Sequence, residues 1–375
     1  MDRIRVIIAD DSALARALIR DFLEGDDQIT VVAEAENGRQ AVEMVHGHHP
    51  DLVTMDLEMP VMNGLEAIEE IMATHPVPIL VVSGVSDAQK AYAAVSRGAL
   101  EVIDKPDTHE DSRTEFVAKV KMLATVKVIT HLRTRRTLPS IAPTAPPPRQ
   151  FTGRADSPVS ATAFDRENPL GNGNRLNGRK LFTIASSTGG PQVLASILSR
   201  LPADFPCPIV IAQHISEGFA QGLSNWLDSI SKIEVRLAQE SDPLLPGVAY
   251  ISPSESHLIV VPGQRLSLRL REPGEIYRPS CDILLISAAA VFGANTVGLI
   301  LTGMGNDGAA GMERIHQAGG VTLAQDEQSS IIYGMNRLAI ERGVVQRILA
   351  ADHIPAEMIA LTGQTGRLSF RDGDA

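Results

Sequence analysis

Short β-branched runs alternate with segments of helical period along most of this 375-residue chain, and a proline-rich stretch near the middle breaks the rhythm once. The first block reads as strands over 5–9, 30–33, 52–55, 79–82 and 100–103. Between them lie segments such as 13–23, where Leu14, Ala17, Leu18 and Leu23 fall roughly on one helical face. Alternation of this kind over about 120 residues implies a parallel sheet with helices on both faces. The rhythm resumes at Lys180. Strands are expected over 181–185, 209–212, 248–251, 258–261, 297–301 and 321–324, with a helix over 192–201 carrying Val193, Leu194, Ile197, Leu198 and Leu201 as one apolar stripe.

Between the blocks, Pro139, Pro143, Pro146, Pro147, Pro148, Pro158 and Pro169 precede Gly171-Asn172-Gly173-Asn174. Such a stretch is a flexible, partly extended tether rather than packed structure. The expected architecture is therefore two doubly wound parallel-sheet α/β domains over 1–124 and 180–367, a basic Pro/Gly-rich linker over 125–179 and a polar tail over 368–375.

Charge and cysteine content exclude several functions. The net charge of −11 disfavours a nucleic-acid-binding output. Residues 125–180 hold ten Lys or Arg against three Asp or Glu, so the remainder carries −18. That basic segment has only Phe151 and Phe164 as aromatics, and solvated linker charge is the expected reading. Cys207 and Cys281 can form no disulfide framework and lack metal-ligand spacing; Cys207, between two prolines in an apolar run, reads as a small buried hydrophobe. The apolar run after Arg5 stops at Asp10, too short for a signal peptide or a span, so no membrane insertion and a cytoplasmic location are expected. His46-Gly47-His48-His49 resembles a metal tract, but it falls at an expected helix-to-strand turn without matching ligands and reads as solvated. His257 and His316 carry no motif around them.

In parallel α/β sheets, chemistry sits beyond the carboxyl ends of the strands. Asp10 and Asp11 follow the first strand, Asp56 ends the third, Ser83 ends the fourth, and Lys105-Pro106 follow the fifth. Three convergent carboxylates suit Mg²⁺, while a hydroxyl and a cation at the same edge could hold the oxygens of a phosphoryl group on Asp56. Each Asp could instead cap a helix, but capping explains poorly why five such residues occupy successive strand ends. Together with Met55-Asp56-Leu57-Glu58-Met59-Pro60 and Gly64, these residues resemble a response-regulator receiver domain across 1–124. The resemblance implies a flavodoxin-like fold, Mg²⁺ held by Asp10, Asp11 and Asp56, phosphoryl contacts from Ser83 and Lys105, and phosphorylation of Asp56 by a histidine kinase. Val102 stands where receivers usually carry an aromatic switch residue.

Three strand-end motifs mark the second block: Ile184-Ala185-Ser186-Ser187-Thr188-Gly189-Gly190-Pro191, Gln213-His214, and Leu301-Thr302-Gly303-Met304-Gly305-Asn306-Asp307-Gly308. Ser, His and Asp on three strand ends are the parts of a nucleophile, a general base and an orienting carboxylate. Individually they read equally as a phosphate-binding turn, a structural histidine and an Asp capping a helix over 309–318. The order Ser, His, Asp, without a Gly-x-Ser-x-Gly elbow, separates the chain from the chymotrypsin, subtilisin and α/β-hydrolase families.

With Arg278-Pro279-Ser280 and Ala324-Gln325-Asp326-Glu327, these motifs resemble the catalytic domain of chemotaxis-specific protein-glutamate methylesterases over about residues 180–365. The resemblance implies a Rossmann-like three-layer α/β esterase domain, with Ser187 as nucleophile, His214 as base and Asp307 as its partner. Thr188, Gly189 and Met304 would border the oxyanion, and the esterase site would use no cofactor. It further implies demethylation of glutamyl methyl esters on methyl-accepting chemotaxis receptors, with deamidation of glutamines at the same site, under control of the phosphorylated receiver. Ser186 in place of the family's common Ala, and Met335-Asn336-Arg337 in place of Met-Pro-Lys, are departures from the pattern. A ligand-binding module using the Ser-Thr-Gly-Gly turn without hydrolysis, and an inert scaffold, are the competing readings.

Overall fold

The computed structural model describes residues 3–84, 88–126, 128, 179–272 and 275–363. Nearly all of the expected tether, and the whole of the expected tail, lie outside these residues. In the N-terminal half, β1 (Ile4–Ala9), β2 (Ile29–Ala35), β3 (Leu52–Met55), β4 (Ile79–Ser83) and β5 (Glu101–Asp104) alternate with α1 (Ala13–Glu24), α2 (Gly38–His48), α3 (Gly64–Thr74), α4 (Ala88–Ser96) and α5 (Glu110–Leu123). The helices start where the sequence supplies caps. Ser12 accepts from Ala15 N for α1, and Asn63 and Glu66 form a reciprocal capping box for α3.

The strands pair in parallel in the order β2-β1-β3-β4-β5. Strand order reverses between β1 and β3, and Asp10 and Asp56 lie just beyond those two strands, where open α/β sheets open a crevice. β3 and β4 are buried on both faces, which accounts for their largely apolar sequences, interrupted only by Thr54 and the terminal Ser83.

The C-terminal half carries β6 (Leu181–Ser186), α6 (Gly190–Leu198), β7 (Ile209–Gln213), α7 (Ala220–Ile230), β8 (Glu234–Leu237), β9 (Val248–Ile251), β10 (Ser256–Val261), β11 (Arg265–Leu270), α8 (Cys281–Phe292), β12 (Thr296–Ile300), α9 (Ala309–Gln317), β13 (Val321–Gln325), α10 (Met335–Glu341), β14 (Arg347–Leu349) and α11 (Ile354–Leu361). Seven strands form one parallel sheet in the order β14-β13-β12-β6-β7-β9-β8. β6 lies centrally, with β7 on one side and β12 on the other, so the three strand-end motifs emerge side by side.

One expected strand belongs elsewhere. Residues 258–261 fall in an antiparallel hairpin of β10 and β11, outside the parallel sheet. Gly263 (φ 85°) and Gln264 (φ 58°) take left-handed conformations that reverse the chain there, and the hairpin ties to α8 through Val260 N donating to Ser287 Oγ at 3.0 Å. The two halves touch through α4 and the turn that follows it. Tyr92 stacks on Trp226 of α7 with ring centroids 5.8 Å apart, and Gln192 of α6 donates to the Ala99 carbonyl at 2.9 Å.

Candidate active site and phosphoryl-acceptor site

At the edge of the first sheet, Asp10 and Asp56 are buried and Asp11 is exposed, and all three offer an oxygen within 4.8 Å of one another. Lys105 Nζ bridges the buried pair, 2.8 Å from Asp10 Oδ2 and 2.9 Å from Asp56 Oδ2. Burial lifts the Asp56 carboxyl above its ordinary range against the opposing pull of Lys105. Burial acts to depress the Lys105 ammonium, but its hydrogen bonds to Asp10 and Asp56 outweigh that and raise it. Ser83 Oγ is fully buried and has no hydrogen-bond partner among the described residues. An orphaned buried hydroxyl beside a lysine and an acidic triplet fits a site that receives an oxygen-rich group together with a hard cation.

At the second sheet, Ser187 follows β6 in a turn fixed by both neighbouring strands. Its N–H donates to Thr302 O at 3.1 Å, and its carbonyl accepts from Gly190 N at 2.7 Å and Gln213 Nε2 at 2.8 Å. Gln213 also donates to His214 O and accepts from Ser186 Oγ at 2.6 Å. The neighbouring hydroxyl is thereby occupied, which distinguishes Ser186 from Ser187. Gly189 (φ 77°) must remain glycine: a Cβ there would lie 2.7 Å from Ile331.

His214, after β7, meets Asp307, after β12, through Nε2 and Oδ2 at 2.7 Å. Tyr277 lies parallel over the imidazole, with centroids 5.0 Å apart, and its hydroxyl donates to Asn306 Oδ1 at 2.7 Å. Asp307 caps α8 rather than the helix that follows it. Its Oδ2 also accepts from Cys281 N at 2.6 Å, and its Oδ1 accepts from Ser280 Oγ at 3.0 Å and Asp282 N at 2.8 Å. Asp282 returns the favour at the start of α9, accepting from Gly308 N at 2.9 Å and Gly311 N at 2.6 Å. Burial would raise the Asp307 carboxyl, yet the His214 contact and the backbone donors hold it below the ordinary range. The Cys281 thiol, fully buried beside Asp307, is pushed well up, so it contributes a neutral S–H.

The structure thus brings His214 and Asp307 into contact and sets Ser187 on the adjoining strand end. Thr188 is buried and Met304 is half exposed at the rim. Tyr277 and Asp282, which flank the Arg278-Pro279-Ser280 motif, join the site without a signal of their own in the sequence. The histidine tract lies as expected, exposed at the turn from α2 to β3, with His75 from the end of α3 within 3.8 Å of His46, ring to ring. Cys207 is buried in the core as expected. Among the described residues no helix is long and apolar enough to cross a membrane.

Two family models match the chain. One, described as CheB methylesterase, spans residues 182–358, and one described as a response regulator receiver domain spans residues 6–116. The chain is 51% identical over 362 residues to protein-glutamate methylesterase/protein-glutamine glutaminase 3 of Paramagnetospirillum magneticum, covering 96% of this chain and 97% of that protein. It is 35% identical over 382 residues to the protein-glutamate methylesterase/protein-glutamine glutaminase of Pyrococcus abyssi, covering 97% of each. Among solved structures, the catalytic domain of the Thermotoga maritima CheB methylesterase matches 49% of this chain and 99% of its own, at 36% identity and a TM-score of 0.47.

Proposed function

The chain belongs to the protein-glutamate methylesterase/protein-glutamine glutaminase family, with a receiver domain for phosphorylation control, and we propose that Ser187, His214 and Asp307 are the residues that carry its hydrolysis. The observation that supports this reading best is the His214–Asp307 pair, with a buried carboxylate and a partly buried imidazole, on strand ends either side of the Ser187 turn. With Nε2 on Asp307, His214 has Nδ1 for the proton of Ser187. Ser187 Oγ attacks the γ-carbonyl of a glutamyl methyl ester as His214 takes its proton. The proton then leaves with methanol, and a water, deprotonated in turn by His214, releases the glutamate side chain from Ser187. The low pKa of Asp307 keeps it anionic beside the imidazolium formed in each step.

The oxyanion would be held by backbone N–H groups of Thr188 and Gly189. Those of Ser187 and Gly190 are already bonded to Thr302 O and Ser187 O. Met304, at the rim, would touch the substrate rather than the reacting carbon. A glutamine side chain would follow the same course, with ammonia leaving. The substrate would be the cytoplasmic helical bundle of a methyl-accepting chemotaxis receptor, which places the enzyme in the cytoplasm.

In the receiver, Asp56 would take the phosphoryl group from a histidine kinase. Asp10, Asp11 and Asp56 would hold Mg²⁺, and Lys105 and Ser83 the phosphoryl oxygens; the metal supplies charge neutralisation for the transfer. Domain limits of 1–124 and 180–367 fit this division. With Val102 in place of an aromatic switch, the signal would leave through α4, which follows Ser83 in the chain and bears Tyr92 against Trp226.

Methanol release from methylated receptor bundles tests the reading, with wild type and Ser187→Ala, with and without a small phosphodonor and Mg²⁺. Release should depend on Ser187 and rise with phosphodonor. No release from folded, phosphorylated wild type would overturn the substrate assignment.

A further inference from the structure

Three of the four hydrogen bonds to Asp307 come from residues 280–282, so the placement of that short segment sets the carboxylate under His214. Beyond the helix itself, the segment is anchored on a histidine. Ser280 N donates to His257 Nδ1 at 2.9 Å, and His257, on β10, is completely buried. A backbone N–H can only donate, so Nδ1 must accept and the ring proton must sit on Nε2. Nε2 lies 2.9 Å from Glu275 Oε2.

Glu275 is itself fixed. Oε2 also accepts from Glu272 N at 2.8 Å, and Oε1 pairs with Arg269, which faces His257 across the β10–β11 hairpin. These donors, first the Glu272 N–H and then Arg269, lower its carboxyl to about 2, so it presents an anion to the imidazole N–H. A continuous line of hydrogen bonds therefore runs from Glu275 through His257 and Ser280 to Asp307 and His214.

We infer that His257 is a positioning residue for the hydrolytic triad: as a neutral imidazole with its tautomer set by Glu275, it fixes Ser280, and through Ser280 the rotamer of Asp307. Burial obliges both ring nitrogens to find partners; what sets His257 apart is that its Nδ1 takes the N–H of Ser280, whose own hydroxyl donates to Asp307. Here both ring nitrogens are committed, and the one facing the site is the one that must not carry a proton. The inference rests on the assignment of Ser187, His214 and Asp307 as the hydrolytic residues.

The test uses the full-length protein. His257→Leu removes the acceptor, and His257→Asn restores one near the position of Nδ1. His257→Gln places its polar end at Nε2, leaves Ser280 N–H without a partner, and replaces the Leu variant should that one not fold. Two quantities are read: kcat and KM for methanol release, and the downfield proton resonance of the His214–Asp307 hydrogen bond. The Leu or Gln variant should lose about tenfold in kcat at unchanged KM, the lower end of what outer hydrogen bonds contribute to metal-bound histidines, and should move the resonance. The Asn variant should return both toward wild type. Unchanged kcat and resonance in Leu or Gln, or equal damage in Asn, would overturn the inference. A wild type that releases no methanol would instead strike at the hydrolase assignment, and the resonance would still separate the variants.

Discussion

Replacing Asp307 by Asn keeps the shape of the side chain and exchanges one acceptor oxygen for an NH₂ group. The structure limits what that amide can do. Asp307 accepts from four donors, two on each oxygen, and each oxygen faces one backbone N–H: Cys281 N on Oδ2 and Asp282 N on Oδ1. Whichever way the amide turns, its NH₂ opposes a backbone N–H that cannot become an acceptor. That leaves a buried donor unsatisfied at about 1–3 kcal/mol. With the NH₂ toward His214, the imidazole must take the other tautomer, place its proton on Nδ1 and lose its function as base; the corresponding change in serine proteases costs about 10⁴ in kcat. With the NH₂ toward Ser280, the tautomer survives but the imidazolium loses a charged partner, worth about tenfold. Asp307→Asn should therefore fold with reduced stability and lose between about tenfold and about 10⁴ in kcat, measured as methanol release from receptor bundles. A variant within about threefold of wild type, with a denaturant midpoint unchanged, would refute this account of the pair.

Ser83→Ala should separate stability from signalling. Removing a buried hydroxyl without a partner should leave thermal stability equal or raise it by about 1 kcal/mol, while phosphorylation of Asp56 by a small phosphodonor slows. Tyr92→Ala removes a stack worth about 0.5–1.5 kcal/mol, so if the α4 contact restrains the enzyme, methanol release without phosphodonor should rise about two- to tenfold, with Trp226 fluorescence reporting the release. Acid unfolding followed by circular dichroism should show the two carboxylates with opposite signs. The stability contributed by Asp307, whose pKa is lowered on folding, is present above the unfolded value of 3.8 and is lost as pH falls through the lower folded value. Asp307→Ala should flatten that part of the profile. Asp56, raised on folding, opposes folding at neutral pH, and this penalty fades as pH falls through its folded value toward 3.8, so Asp56→Asn should stabilise at pH 7 and lose that advantage in acid.

The parallel sheets are legible because buried strands such as β4 and β7 are short and apolar up to a polar last residue, and helices such as α6 carry a continuous apolar stripe. β11 was not. Arg265-Leu266-Ser267-Leu268-Arg269-Leu270 alternates, yet its partner β10 is apolar enough to read as a parallel-sheet strand, and the left-handed pair at Gly263 and Gln264 turns the two into a hairpin. β8 and β14 are short edge strands with charged residues, a pattern without a strong period. Among site residues, each acidic or nucleophilic group at a strand end could be found from position. His257 could not, because its role depends on a cross-chain meeting with Ser280 and Glu275, 23 and 18 residues away.

Asp56 and Asp307 occupy equivalent places, each just beyond a central strand of a parallel sheet, and both are buried. Their environments push them in opposite directions, and the number of donors decides which way. Asp56 is served by Lys105 and its neighbour Leu57 N–H, too few to offset burial and the nearby Asp10 carboxylate, so it is the more basic carboxylate. If Asp56 accepts a phosphoryl group as proposed, the Lys105 that partly restrains it would hold the oxygens of the incoming group. Asp307 has four donors, including two backbone N–H groups that cannot withdraw, and it stays anionic when the neighbouring imidazole becomes charged. On the proposed roles, a carboxylate at the second site with only the donors of Asp56 would be able to take the proton that His214 would need to keep for methanol.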